Sequence, residues 1–234
     1  MSGTSPWSRA DLDAVLVDLD GTMVDTLADF GQALQRMLAD LPAPFSAFTL
    51  TPSLVEKFVG KGSDHLIKSL LAHIDAAQAA PEKIALLERA SAAYLAHYRQ
   101  VNGRFSTVYP GVMEGLAHWQ KQGLKLGCVT NKPTAFAQDL LADKGLVQFF
   151  ELVVGGDAVA RKKPDPMPLL HACAVLGVEP ARTLMVGDSV NDAQAARAAG
   201  CPVLLVSYGY NHGQSVHTVD ADAFVDSLAA VRWA

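Results

Sequence analysis

The sequence predicts an α/β fold, a doubly wound parallel sheet interrupted once by an all-helical insertion. Three observations carry this. Five short runs rich in Val and Leu, Ala14–Val17, Lys125–Val129, Leu152–Val154, Thr183–Val186 and Val203–Val206, lack polar alternation, as strands do when both faces of a parallel sheet are covered. Most of them lead through a polar turn into a segment of helical period, the order that builds strand–helix–strand units. The rhythm breaks once, between about Val24 and Arg104, where helix-period segments follow one another without a convincing strand.

Taken in order, Ala14–Val17 is the first strand. The insertion then holds helices over Leu27–Ala39, Asp64–His73 and Pro81–Tyr98, with the alanine-rich stretch from Asp75 to Ala80 as helix or helix end and Gly103–Tyr109 as the returning linker. Lys125–Val129 is followed by a helix over Pro133–Lys144 stopped by Gly145, Leu152–Val154 by one over Pro166–Leu176 stopped by Gly177, and Thr183–Val186 by one over Val190–Ala199 stopped by Gly200. Glycine is the common stop because it takes the left-handed backbone that ends a helix. Residues 24–104 are therefore expected to form a helical cap, and residues 1–23 with 105–234 the catalytic core.

The chain of 234 residues is half apolar, with 19 basic against 24 acidic side chains, enough length for one large domain or a core with a smaller companion. Charges of both signs are scattered and no basic cluster occurs, which argues against a nucleic-acid partner. No apolar stretch approaches the roughly 18–20 residues of a membrane helix, and MSGTSPWSRADLD lacks the apolar centre of a signal peptide. The expected address is the cytoplasm, with no membrane partner. Cys128, Cys173 and Cys201 are odd in number, widely spaced and form no CxxC pair, so neither a disulfide framework nor a zinc site is expected. Cys128 and Cys201 lie in or beside apolar runs and read as buried inert thiols. His65, His73 and His97 read as helix-surface residues and Trp7, Trp119 and Trp233 as packing residues.

The chemistry gathers at strand ends, where open α/β sheets bind their ligands. The first strand runs into Asp18-Leu19-Asp20-Gly21-Thr22, and Thr183–Val186 runs into Gly187-Asp188-Ser189-Val190-Asn191-Asp192. If the next two strands lie on one side of the Asp18 strand and Thr183–Val186 on the other, the two acidic ends flank the switch point. Oxygen ligands converging there suit a hard divalent ion, and Mg²⁺, which retains waters and substrate phosphate, fits best. Thr130-Asn131-Lys132, at a helix start, and Arg161-Lys162-Lys163-Pro164 supply the donors and positive charge that complement a phosphate. Taken singly, each could be an ordinary helix cap or a solvated turn.

Together, Asp18-Leu19-Asp20-Gly21-Thr22, Thr130, Lys163-Pro164 and Gly187-Asp188-Ser189-Val190-Asn191-Asp192 resemble, in order and spacing, the four motifs of the haloacid dehalogenase superfamily. The resemblance spans nearly the whole chain. It implies a Rossmann-like core, a helical cap inserted after the first motif and an aspartyl-phosphate mechanism. It makes Asp18 the nucleophile and a Mg²⁺ ligand, and Asp20 the acid and base that also offers its carbonyl to the metal. Thr130, Asn131 and Lys163 would hold the phosphoryl group, while Asp188 would complete the metal shell and Asp192 would ligate or support it. Relatives that resemble dehalogenases or phosphonate-cleaving hydrolases lack an acid two positions after the nucleophile, so Asp20 points to phosphate esters and away from a Schiff-base role for Lys61. Tyr109-Pro110-Gly111-Val112, Gly155-Gly156-Asp157 and Tyr208-Gly209-Tyr210-Asn211 are, with these motifs, most similar to phosphoglycolate phosphatases. The implied reaction is hydrolysis of 2-phosphoglycolate or a similarly small phosphate ester by a monomer or homodimer. Selectivity would fall to Gly60, Lys61 and Gly62 in the cap, with either the Lys61 ammonium or the backbone N–H groups from Gly60 to Ser63 meeting the substrate carboxylate. A sugar phosphomutase resembling β-phosphoglucomutase is the rival on the same scaffold. A non-catalytic binding module would be expected to have lost one of Asp18, Asp20, Lys163 or Asp188. Departures are small: Val17 stands where many relatives have Phe, and Met23 where Leu or Val is common.

Overall fold

In the computed structural model, which describes residues 6–75 and 80–231, the chain runs β1 (Ala14–Val17), β2 (Val24–Asp25), α1 (Leu27–Ala39), α2 (Pro52–Phe58), α3 (Ser63–Ile74), α4 (Ala80–Val101), β3 (Thr107–Val108), α5 (Val112–Lys121), β4 (Lys125–Val129), α6 (Thr134–Asp143), β5 (Leu152–Val154), α7 (Met167–Leu176), β6 (Thr183–Gly187), α8 (Val190–Ala199), β7 (Val203–Val206) and β8 (Ala223–Val225). Six strands form one parallel sheet in the order β5-β4-β1-β6-β7-β8. The expected arrangement of two strands on one side of β1 and β6 on the other holds.

All four β1 side chains are fully buried, and the reason is visible in their alternation. Val15 and Val17 pack with Val112, Leu116 and Trp119 of α5 and Leu140 of α6. Ala14 and Leu16 point to the other face, against Leu169 and Ala172 of α7 and Ala195 and Ala196 of α8. A strand directs successive side chains to opposite faces, so a run of four apolar residues has a partner layer on each side only if helices cover both. Each buried Leu or Val adds roughly 1.5–3 kcal/mol.

Register then fixes the site. Val17 lies opposite Cys128 on one side and Val186 on the other. Asp18, one residue on, therefore emerges level with the end of β4, where Thr130 begins, and with Gly187, just before Asp188. Beyond Asp20 the backbone reverses at Gly21, whose φ of +85° belongs to the left-handed region and where a Cβ would come within 2.3 Å of an Asp188 oxygen. The turn closes with Gly21 N–H on the Val24 carbonyl.

Several elements were not foreseen. β2 and β3 pair antiparallel, Val24 with Val108 and Asp25 with Thr107, so the segments leading into and out of the helical insertion are tied together where only a return linker over Gly103–Tyr109 was expected. Asp29 of α1, fully buried, reinforces that tie: its two carboxylate oxygens accept the Gly103 and Phe105 N–H groups, both at 2.8 Å. The sheet also gains a sixth strand, β8, on its β7 edge, and α2 and α5 were not expected as helices. The helices α1–α4 carry an apolar cluster of their own, including Phe30, Leu34, Met37, Leu38, Ile67, Leu70, Tyr94 and Tyr98. Residues 76–79 of the alanine-rich stretch and Trp233 lie outside the described residues, and no described helix is long and apolar enough to cross a membrane. Trp119 is fully buried and Trp7 packs against the same cluster. All three cysteines are buried free thiols; burial pushes the Cys128 thiol up.

Candidate active site

Where β1, β4 and β6 end, three carboxylates meet. Ligand atoms of Asp18, Asp188 and Asp192 lie within 4.8 Å of one another, all buried. One ammonium stands among them: Lys163 Nζ is 2.8 Å from Asp18 Oδ1 and 2.6 Å from Asp192 Oδ1, and donates to the Val129 carbonyl at 2.7 Å. Three acids against one cation crowd like charges in a buried site, a cost relieved by raised carboxyl pKa values or by a further cation. Asp18 Oδ1 is in addition a buried acceptor with no hydrogen bond of good geometry. An all-oxygen donor set with that crowding of like charge fits a divalent hard cation.

The electrostatics follow from the crowding. Burial pushes the Asp18 carboxyl up to about 7, against the pull of Lys163 and with Asp192 and Asp20 adding to the rise. Asp188 is driven up for the same reason, burial first, then Asp192 and Asp18. Burial opposes charge on Lys163, yet the Asp18 and Asp192 carboxylates hold its ammonium well above the usual lysine range. Asp192 has both oxygens engaged, Oδ1 by Lys163 and Oδ2 by the Ser189 hydroxyl at 2.7 Å and the Ser189 N–H at 3.2 Å. It is the third helical residue of α8 and closes a capping box with Ser189, which satisfies two N–H groups at the helix start. Asp188 accepts the Tyr210 N–H at 2.8 Å and the Thr22 hydroxyl at 3.3 Å.

Asp20 points elsewhere. Its Oδ1 accepts from the Thr26 hydroxyl and from Lys132 Nζ, both at 2.8 Å, and it is not part of the three-acid cluster. The two carboxylates of Asp18-Leu19-Asp20 thus occupy different surroundings, one among acids and a lysine, the other beside a hydroxyl and a second lysine, and both line a cavity beneath the inserted helices. That cavity, of ≈ 50 Å³, is lined on the sheet side by Asp18, Asp20, Thr130, Asn131, Lys132 and Lys163, and on the side of the helical insertion by Phe30, Gly60, Gly62, Tyr94 and Tyr98.

The remaining expected residues divide. Thr130 and Asn131 line the cavity, but the Asn131 amide donates to the Gly60 carbonyl at 3.0 Å and the Lys163 carbonyl at 2.9 Å. It thereby joins the loop at Gly60 in the helical insertion to the lysine-bearing loop. Asn191 adds a second donor to the same Gly60 carbonyl, at 3.3 Å. Gly60 and Gly62 reach the cavity, while Lys61 between them is exposed and absent from its lining. Sequence reasoning gave no role to Phe30, Tyr94 or Tyr98; it placed Lys132 in a turn facing a phosphate and named Tyr210 only within a motif of the resemblance. Tyr94 and Tyr98 had a legible signal, since four residues apart on a helix places them on one face. Tyr210 holds the start of the helical insertion, accepting the Thr26 N–H at 2.7 Å and donating to Asp25 at 2.9 Å.

Comparison with known proteins agrees with this arrangement. A family model described as haloacid dehalogenase-like hydrolase matches residues 12–200. The phosphoglycolate phosphatase of Thiobacillus denitrificans is 45% identical over 218 residues, covering 92% of each chain. A plasmid-encoded phosphoglycolate phosphatase of Cupriavidus necator is 48% identical over 218 residues, 93% of this chain and 90% of that one. Among solved structures, a predicted phosphoglycolate phosphatase from Haemophilus somnus superposes with a TM-score of 0.85 at 30% identity, covering 94% of this chain and 96% of its own. The family model covers the β1 end with its two aspartates, the Thr130 and Lys163 loops and the Asp188–Asp192 turn, all four of the strand-end features that build the cavity, and on that ground the chain belongs to the haloacid dehalogenase-like hydrolases.

Proposed function

We propose that this chain is a Mg²⁺-dependent phosphomonoester hydrolase that works through an aspartyl-phosphate and converts 2-phosphoglycolate to glycolate and phosphate in the cytoplasm. In this reading residues 24–104 act as a cap over a core of residues 1–23 and 105–234. The observation that carries it is the contrast between two acids on one short turn, Asp18 against Lys163 in the acidic cluster and Asp20 held by Thr26 and Lys132 outside it. Environments that separate two carboxylates divide their chemical labour.

Asp18 Oδ attacks phosphorus, forming the acyl phosphate bond as the ester P–O bond breaks, and the departing oxygen takes a proton from Asp20. Asp20, now a carboxylate, accepts a proton from water, whose oxygen attacks phosphorus. Phosphate leaves and both aspartates return to their starting states. Lys163 and Thr130 hold the phosphoryl oxygens, and Asn131 keeps the Lys163 loop in register. Asp18, the Asp20 carbonyl and Asp188 would hold Mg²⁺, with Asp192 beside them anchoring Lys163. When bound, the ion contributes positive charge to the phosphoryl group. The loop of Gly60, Lys61 and Gly62 narrows the entrance.

Cavity size favours a small ester. The cavity is small, ≈ 50 Å³, which supports a compact phosphate ester over a larger phosphorylated sugar. The test is phosphate release by the purified protein from 2-phosphoglycolate, glucose 1-phosphate and glucose 6-phosphate, with Mg²⁺ and with chelator. Mg²⁺-dependent release that is fastest on 2-phosphoglycolate is expected. Full activity in chelator would remove the metal, and conversion of glucose 1-phosphate to glucose 6-phosphate without net phosphate release would favour a mutase.

A further inference from the structure

We propose that Lys132 is the residue by which this site selects acidic substrates, its ammonium binding the carboxylate of a phosphorylated small acid on the cap side of the phosphoryl position. The inference rests on the phosphatase reading above and adds to it the group that distinguishes an acid from a neutral ester.

Position comes first. Lys132 is two residues past Thr130 at the end of β4, and its side chain is 2% exposed. Nζ stands 2.8 Å from Asp20 Oδ1 and 2.5 Å from the Tyr98 hydroxyl. It also sits 4.7 Å from the Phe30 ring centroid and 4.9 Å from that of Tyr98. These rings are stacked on one another, centroids 5.4 Å apart, and Tyr94 continues the stack. A cation seated against aromatic faces is held in place without having its charge cancelled.

Donor counting comes second. An ammonium has three N–H donors and no acceptor. Lys163 donates to Val129 and Asp192 and stands 2.8 Å from Asp18 in an ion pair. Lys132 spends two, on Asp20 and Tyr98, among the described contacts, and the third is available to a ligand in the cavity it lines. The wall around it is otherwise apolar aromatic surface on the cap side. A buried cation facing such a wall attracts a second anion far more strongly than one in water. Lys61, the other lysine considered for this task, is exposed and outside the cavity lining, where solvent and salt weaken it.

Because Lys132 touches Asp20, a change there could act through that acid alone, and the experiment must separate the two roles. The probes are 2-phosphoglycolate and 2-hydroxyethyl phosphate, which share the phosphoryl group and two-carbon skeleton and differ in carboxylate against alcohol. For Lys132→Met the expected result is a loss of kcat/KM on 2-phosphoglycolate at least ten-fold greater than on 2-hydroxyethyl phosphate, about 1.4 kcal/mol of differential stabilisation. Lys132→Arg, which keeps the charge, should retain the preference for the acid. Calorimetric affinity for both probes is measured as well, in Asp20→Asn and in the Asp20→Asn/Lys132→Met double variant. The acid preference should fall in the double variant, since the carboxylate contact does not pass through Asp20. Equal losses on both probes, or a preference unchanged by Lys132→Met when Asp20 is already Asn, would overturn the proposal and make Lys132 a positioning residue for Asp20. If the wild-type protein releases phosphate from neither probe, the phosphatase reading fails by itself, and the same affinity comparison still decides whether Lys132 reads the carboxylate.

Discussion

Removing Lys163 should strip the acidic cluster of its one neighbouring cation among the described residues and make its stability depend more steeply on a bound metal. Its ammonium is the only cation among Asp18, Asp188 and Asp192 within the described residues, with ion contacts of 2.8 and 2.6 Å to two of them. Breaking a buried pair by deleting one partner costs about 3–5 kcal/mol, because the other charge is left uncompensated. For a chain of this length each kcal/mol moves Tm by about 2–4 °C, so Lys163→Met in chelator should melt roughly 6–20 °C below wild type. Much of that deficit should return with Mg²⁺, since a ligand at 100 times its Kd adds about 2.7 kcal/mol to the folded state. The assay is a thermal melt of wild type, Lys163→Met and Asp188→Ala at several Mg²⁺ concentrations, with circular dichroism confirming the native baseline. Asp188→Ala, which removes an acid in place of the cation, should show weaker stabilisation by Mg²⁺ than wild type. A Lys163→Met protein melting within 3 °C of wild type in chelator, or one whose Tm ignores Mg²⁺, would refute the charge accounting from which the metal site is argued.

Three further outcomes are expected. Asp18→Asn should abolish phosphate release while keeping Tm near the wild-type value, because an amide cannot serve as the nucleophile; turnover within ten-fold of wild type would remove Asp18 from that role. Asp20→Ala should lose about 10²–10⁴ in kcat on 2-phosphoglycolate, and less on p-nitrophenyl phosphate, whose leaving group needs little protonation; equal losses would assign Asp20 to structure. Burial, then the nearby Lys61 ammonium, holds His212 below the usual imidazole range. The unfolded chain therefore takes up that proton first as pH falls, so the His212 contribution to stability is complete above about pH 6.5 and is lost below it. His212→Asn, which tolerates the left-handed backbone at this position (φ 54°), should flatten the decline in Tm below about pH 6.5, and an unchanged slope would place the acid sensitivity elsewhere.

How much of this was legible depended on whether a residue's partners were local. The five predicted strands were readable because burial on both faces removes polar residues from every position, a signal each run carries alone. β8 was not: its three residues are only half-buried, it pairs with β7 alone, and an edge strand of that length has no pattern to distinguish it from loop. β2 and β3 are two residues each and exist only because the chain returns after the insertion to pair them. The sequence between Val24 and Arg104 thus showed an interruption without showing how its two ends are joined. Asp29 illustrates the same limit, since a buried acid on α1 is explained only by N–H groups at residues 103 and 105.

The site divides along the same line. Asp18, Asp188 and Lys163 were legible because each sits at the end of a strand or in the loop beyond one, and parallel register carries strand ends to one place. Lys132 belongs to the same Thr130-Asn131-Lys132 turn, which the sequence set against a phosphate, but its enclosure was not readable. Its setting is made by Phe30 and Tyr98, from α1 and α4, folded over β4 from the other side of the cavity. The core motifs therefore describe the phosphoryl chemistry, which the sheet alone assembles. In the proposed reading, substrate choice falls to contacts between the insertion and the core, and there the glycines at 60 and 62 drew attention to the lysine between them while the enclosed lysine lay in a core motif. A cation can recognise a small anion when it is enclosed with it, so burial and position decide between Lys61 and Lys132, and neither can be read from the loop sequence.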